Sequence, residues 1–145
     1  MGEGKYVVFT LGGQRFGLPI ADVEQILPPH AVTRVPKSDR TIMGLFDLRG
    51  QTIPVVDTRV LLETVSPDPG CFIVVRSADL RVALTADAVQ KIEDFQAAQI
   101  DAGDGVAGQP WVVARAQDTL VMLLDPHTLL PKKLQGKLTR SLQAA

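Results

Sequence analysis

Arg15-Phe16-Gly17-Leu18-Pro19-Ile20-Ala21-Asp22-Val23-Glu24-Gln25-Ile26 returns 66 residues later (15 to 81) as Arg81-Val82-Ala83-Leu84-Thr85-Ala86-Asp87-Ala88-Val89-Gln90-Lys91-Ile92. Arg, Leu, Val and Ile recur in register. The same offset lays Tyr6-Val7-Val8-Phe9 over Phe72-Ile73-Val74-Val75. Further on, Thr52-Ile53-Pro54-Val55-Val56-Asp57 matches Leu120-Val121-Met122-Leu123-Leu124-Asp125 at an offset of 68 (57 to 125). Apolar residues follow both aspartates, Val60-Leu61-Leu62 and Thr128-Leu129-Leu130. One match between apolar strands says little, because such strands resemble one another. Two matches in order at nearly one offset indicate a duplicated chain of two pseudo-equivalent lobes.

Each lobe reads as short strands separated by turn residues. In the first, Tyr6 to Leu11 runs into Gly12-Gly13, and a second strand follows. Val23, Ile26 and Leu27 stand at i, i+3 and i+4, so the spacing predicts a brief helical segment over Ala21 to Leu27, stopped by Pro28-Pro29. Val32 to Val35 reads as another short strand. Gly44 to Val56 reads as a hairpin turning at Gly50-Gln51, with Pro54 marking an edge or a bulge because it has no N–H to donate. Gln96 to Gly108, rich in Ala, Gly and Asp, reads as a loop before strand signal resumes at Trp111. About five strands per lobe predict an all-β fold of two small barrels, whose closure removes aggregation-prone edges.

Composition narrows the function classes. The chain has 145 residues, a formal net charge of −1 and 5% aromatic residues. No charge excess gathers nucleic acid, and the only basic concentration is the run from Lys132 to Arg140. A double barrel binding single-stranded nucleic acid is the alternative of a different class, disfavoured by that charge and the scarcity of stacking aromatics. The single cysteine, Cys71, forms no intrachain disulfide. No leader-like N-terminus and no stretch of 18–20 apolar residues is visible, so a cytoplasmic protein is expected.

Nothing in the motifs supplies a reaction. His30 and His127 have neither metal-ligand spacing nor a partner cysteine, so no metal and no cofactor are expected. Cys71, ahead of Phe72-Ile73-Val74-Val75, reads as a buried, inert thiol. Asp57 and Asp125 each end an apolar strand. They serve either as a general acid or base, or as N-caps of short helical turns; appearing twice by symmetry favours the cap, and Asp57 also stands within reach of Arg59. No catalytic residue is assigned.

With catalysis unsupported, the hairpin becomes informative. Gly44-Leu45-Phe46-Asp47-Leu48-Arg49-Gly50, followed by Ile53-Pro54-Val55-Val56-Asp57-Thr58-Arg59, resembles the signature of CheW-like chemotaxis domains. That family shows a strand ending Asn-Leu-Arg-Gly and then Pro-hydrophobic-hydrophobic-Asp-x-Arg. The resemblance covers residues 5–131 as one domain and implies two SH3-like five-stranded barrels. Barrel one would combine residues 5–14 with 71–131, and barrel two residues 15–70. It further implies a non-catalytic bacterial adaptor coupling the signalling tip of a methyl-accepting chemoreceptor to the regulatory domain of the histidine kinase CheA.

Family receptor contacts line a groove between the barrels. Carried over singly, they fall on Val23, Gln25, Ile26, Asp47, Arg49 and Phe72. Gln25 stands where an acid is frequent, and Asp47 replaces the signature asparagine. Arg49 either contacts the partner or pairs with Asp47; Val23, Ile26 and Phe72 either line the groove or pack in the core. Ala83 replaces a glycine common in the family. Kinase contacts fall on Val32, Arg34 and Ile53. Beyond Pro131, Leu134, Leu138 and Leu142 recur every fourth residue beside Lys132, Lys133, Lys137 and Arg140. This basic amphipathic tail, 132–145, is expected to be helical, packing on its own barrel or docking on a partner.

Overall fold

The computed structural model describes residues 2–77, 79–101, 111–130 and 132–143. The first repeat contains β1 (Gly4–Leu11), β2 (Gln14–Pro19), β3 (Val23–Leu27), β4 (Ile42–Leu48), β5 (Gln51–Val56) and the single-turn helix α1 (Thr58–Leu61). The second contains β6 (Cys71–Ser77), β7 (Leu80–Ala86), β8 (Ala88–Phe95), a two-residue strand β9 (Ile100–Asp101), β10 (Trp111–Ala116), β11 (Thr119–Leu124) and α2 (Pro126–Leu129). A longer helix, α3 (Lys132–Gln143), follows. Strand for strand, β1 to β5 correspond to β6, β7, β8, β10 and β11. The caps correspond too: Asp57 accepts from the Arg59 N–H at the start of α1, and Asp125 accepts from the His127 N–H at the start of α2.

The fold is all-β in two sheets, as the repeat predicts, but the repeats are exchanged between them. One sheet runs β8-β1-β2-β11-β10-β9 and the other β3-β6-β7-β5-β4. Each takes the first hairpin of one repeat and the remaining strands of the other, four (β8 to β11) in the first sheet and three (β3 to β5) in the second. Two parallel pairs join the halves, β2 with β11 and β7 with β5. They are symmetry mates: Leu123 faces Gly17 as Val55 faces Ala83. The division expected from the resemblance is therefore corrected. Residues 15–19 belong with β1, and residues 71–86 belong with the other lobe. A hairpin keeps its two strands together, whereas a parallel neighbour must arrive by a long connection, so the chain's two halves interlock.

Packing closes each lobe. Leu27 from β3 and Phe46 and Leu48 from β4, at opposite ends of the five-stranded order, share one cluster with Ile53, Val55, Phe72, Val74 and Ala83. Tyr6, Val8, Phe95, Ala114, Val121 and Leu123 fill the other lobe. A third cluster lies between the lobes and includes Phe9, Phe16, Ile73, Leu84, Leu124, Leu134 and Leu138. The alternation of β6 decides this layout: Phe72 and Val74 point into their own lobe, while Cys71, Ile73 and Val75 point at the other one. Burial on both faces explains why β6 reads as an unbroken apolar run.

Five local readings change. The segment predicted as helical is a 3-10 turn, Ile20–Asp22, leading into β3, where Ile26 faces Ile73 and Leu27 faces Phe72. A bulge between Val23 and Gln25 breaks the alternation and spaces the apolar residues as a helix would. The β4–β5 turn is at Arg49-Gly50, one residue earlier than expected, with φ of 52° and 85°. Pro54 lies in a strand flanked on both sides; the β7 ladder covers only Val55 and Val56, just past the missing N–H. Residues 32–35 form a single bridge, Thr33 to Leu45, rather than a strand. That bridge demands Gly44, because a Cβ there would stand 2.3 Å from the Thr33 carbonyl oxygen. Of the expected loop 96–108, residues 96–101 form a 3-10 turn and β9, and the remainder lies outside the described residues.

Candidate protein-binding surface

Arg49 and Asp47 are exposed at the β4–β5 hairpin tip. Left-handed φ at both turn residues gives the backbone twist that a two-residue hairpin requires. The Asp47 carboxylate accepts weakly from the Gly50 N–H at 3.4 Å. Asp47 and Arg49 form no ion pair among the described residues, so the guanidinium is presented to solvent.

A polar chain ties this tip to β3. Gln51, the first residue after the turn, accepts from Arg81 on β7. Arg81 and Arg76 each donate to Glu24 at 2.7 Å, one to each carboxylate oxygen. Burial pushes the Glu24 carboxyl up, but the two guanidinium hydrogen bonds outweigh it and hold the group below the ordinary glutamate range. Glu24 thereby fixes β3 against β6 and β7, with Ile26 44% exposed two residues on. Val23 and Gln25 are half-buried, and Val23 packs at the rim of the core between the lobes.

Other candidates separate. Phe72 is 2% and Ile53 1% exposed, so both are corrected from contact residues to interior ones. The interlobe space holds the third cluster, into which α3 inserts Leu134 and Leu138. Phe72 instead stacks at a tilt on Phe46, with the His30 ring 5.2 Å from Phe46 covering the pair. Val32 packs against the same lobe, while Arg34 is exposed beside the Thr33–Leu45 bridge. Ile53 does not join these two at the surface.

The fold also assembles groups that no linear motif announced. The Ser77 hydroxyl lies 3.4 Å from His127 Nδ1, and Asp22 is close enough to feel the imidazole. Burial pushes the Asp22 carboxyl up, His127 opposes it and Asp125 adds to it. Ser77 is fully buried, so a substrate carbonyl has no approach to its oxygen. Cys71 is buried, its thiol pushed up chiefly by burial. Among the described residues no group of three or more His, Cys, Asp or Glu side chains is arranged to hold a metal, and no helix is long and apolar enough to cross a membrane.

The family model of the CheW-like domain matches residues 5–134. The chain belongs to the CheW-like domain family. Chemotaxis protein CheW of Klebsiella aerogenes is 31% identical over 99 residues, which are 66% of this chain and 60% of that protein, so the match spans under two thirds of its length. Chemotaxis protein CheW of Bacillus subtilis is 26% identical over 137 residues, covering 89% of this chain and 88% of that one. The crystal structure of the scaffolding protein TtCheW from Thermoanaerobacter tengcongensis superposes with a TM-score of 0.81 at 24% identity, over 91% of this chain and 95% of that chain. The last likeness shows that the two chains share a fold.

Proposed function

We propose that this CheW-like chain is a non-catalytic scaffold that joins the helical signalling tip of a chemoreceptor to the regulatory domain of a CheA-type histidine kinase. One observation carries the reading: the hairpin tip presents Arg49 to solvent on the same lobe as the exposed Ile26. The Gln51–Arg81–Glu24–Arg76 chain braces the two against each other. An apolar contact with a charged neighbour suits an amphipathic receptor helix: the first supplies energy and the second orientation. Val23 and Gln25 flank that surface. The kinase contact is assigned to the exposed Arg34, beside the Thr33–Leu45 bridge, with Val32 packed on the same lobe.

The test is titration of a receptor cytoplasmic fragment and, separately, of the kinase regulatory domain. Arg49→Ala and Ile26→Asp are expected to weaken receptor binding roughly tenfold without changing thermal unfolding. Arg34→Ala is expected to weaken only kinase binding. Receptor affinity unchanged in both of the first two variants would overturn this placement.

A further inference from the structure

The internal symmetry extends to the surface, and there the two lobes differ. Where β7 and β5 begin, a hollow of about 340 Å³ is lined by Gln51, Thr52, Ile53, Asp79, Leu80 and Arg81. Its symmetry mate, where β2 and β11 begin, is a groove of about 470 Å³ lined by Gly13, Gln14, Arg15, Thr119, Leu120 and Met122, with Val113. The offsets of 66 and 68 superimpose Arg15 on Arg81 and Thr119 on Gln51. The hydrogen bonds superimpose as well: Arg15 donates to the Thr119 hydroxyl at 3.0 Å, as Arg81 donates to the Gln51 side chain.

In the second lobe the chain's own helix borders this position. α3 packs on β5 and β4, and its Leu142 joins Leu80 and Ile53 in the lining of the hollow. No described residue covers the first-lobe mate in the same way. Here Leu120 replaces Thr52, and Leu120 is 58% exposed. Met122 and Trp111 extend this strip into the core between the lobes, against which both pack.

We propose that the groove at Leu120, Met122 and Val113 receives an amphipathic helix of a partner protein, seated as α3 is seated on the other lobe. Charge complementarity selects the partner. Among the described residues Arg15 is the only charged one lining the groove, so the incoming helix carries large aliphatic side chains on one face and an acidic residue at its edge. The chain's own α3 is basic, with Lys132, Lys133, Lys137 and Arg140, and a second copy's α3 would set like charges against Arg15. This surface is separate from Arg49 and Ile26, and its test uses neither receptor nor kinase.

The probe is a synthetic peptide with the leucine spacing of residues 132–143, its four basic residues replaced by glutamate, titrated into the full chain and followed by amide chemical shifts. The expected result is perturbation centred on Val113, Leu120 and Met122, with binding roughly tenfold weaker for Leu120→Asp. The unaltered basic peptide is expected to bind more weakly than the acidic one. No perturbation at these residues at roughly millimolar peptide, where even weak association is visible, would overturn the proposal. So would equal affinity in Leu120→Asp, or a concentration-dependent dimer that Leu120→Asp abolishes, which would assign the groove to a second copy.

Discussion

Arg49 holds a left-handed φ of 52° that a side chain with a Cβ adopts at a cost, and its repeat mate Gln117 holds 53°. Asparagine tolerates that conformation better. Arg49→Asn is therefore expected to leave the thermal midpoint unchanged or slightly raised while weakening receptor binding. A drop in the midpoint would show that the guanidinium is structural. Gly17 and Ala83 make the complementary case, since they are mates with different residues. A Cβ on Gly17 would stand 2.9 Å from Leu123 Cδ2 in a fully packed lobe, so Gly17→Ala is expected to cost about 1–3 kcal/mol in denaturant unfolding. The other lobe already accommodates Ala83 opposite Val55. Phe72 and Ile53 show what the sequence hid at this scale. Strand alternation picks out one buried face, but β5 and β6 are buried on both, so a residue that looks available to a partner is interior. Phe72→Ala is expected to cost about 3–5 kcal/mol, and unaltered stability would place it back at the surface.

Two elements depart most from what their sequences suggest in isolation. β3 imitates a helical turn because a one-residue bulge shifts its apolar positions, and only the ladder to β6 settles it as a strand. α3 was legible as an amphipathic helix from Leu134, Leu138 and Leu142, and the structure selects packing on its own fold. Leu134 and Leu138 enter the core between the lobes, each worth roughly 1.5–3 kcal/mol of burial. Lys137 clamps the helix to Asp39 at 2.6 Å. The Lys137 ammonium, with the Thr41 N–H, holds the Asp39 carboxyl well below the usual carboxylate range. A depressed folded value means that the clamp contributes fully above the ordinary aspartate value of 3.8 and is lost as pH falls below it. Urea midpoints measured between neutrality and pH 3 are expected to fall less steeply for Asp39→Asn than for the unaltered chain. Identical slopes would show that the clamp carries no stability.

At the scale of the molecule, the repeat announced two lobes and their paired caps, but it could not announce the exchange. Similarity says which segments are alike, not which copy each one joins, and the β2–β11 and β7–β5 pairs decide that in space. The consequence is indivisibility. Fragments 1–68 and 69–145 each lack strands from both sheets, so neither is expected to give dispersed amide spectra alone; a folded 1–68 would contradict the interlocked topology. Arg49, at the β4–β5 turn, and Arg34, beside the Thr33–Leu45 bridge, both stand on the lobe of the five-stranded sheet. The most direct test is co-sedimentation of the kinase with receptor-bearing vesicles, with and without this chain. Kinase is expected in the pellet only when the chain is present, and Arg49→Ala is expected to leave it in the supernatant. Receptor and kinase displacing one another from the chain, or pelleting equally well without it, would contradict the scaffold.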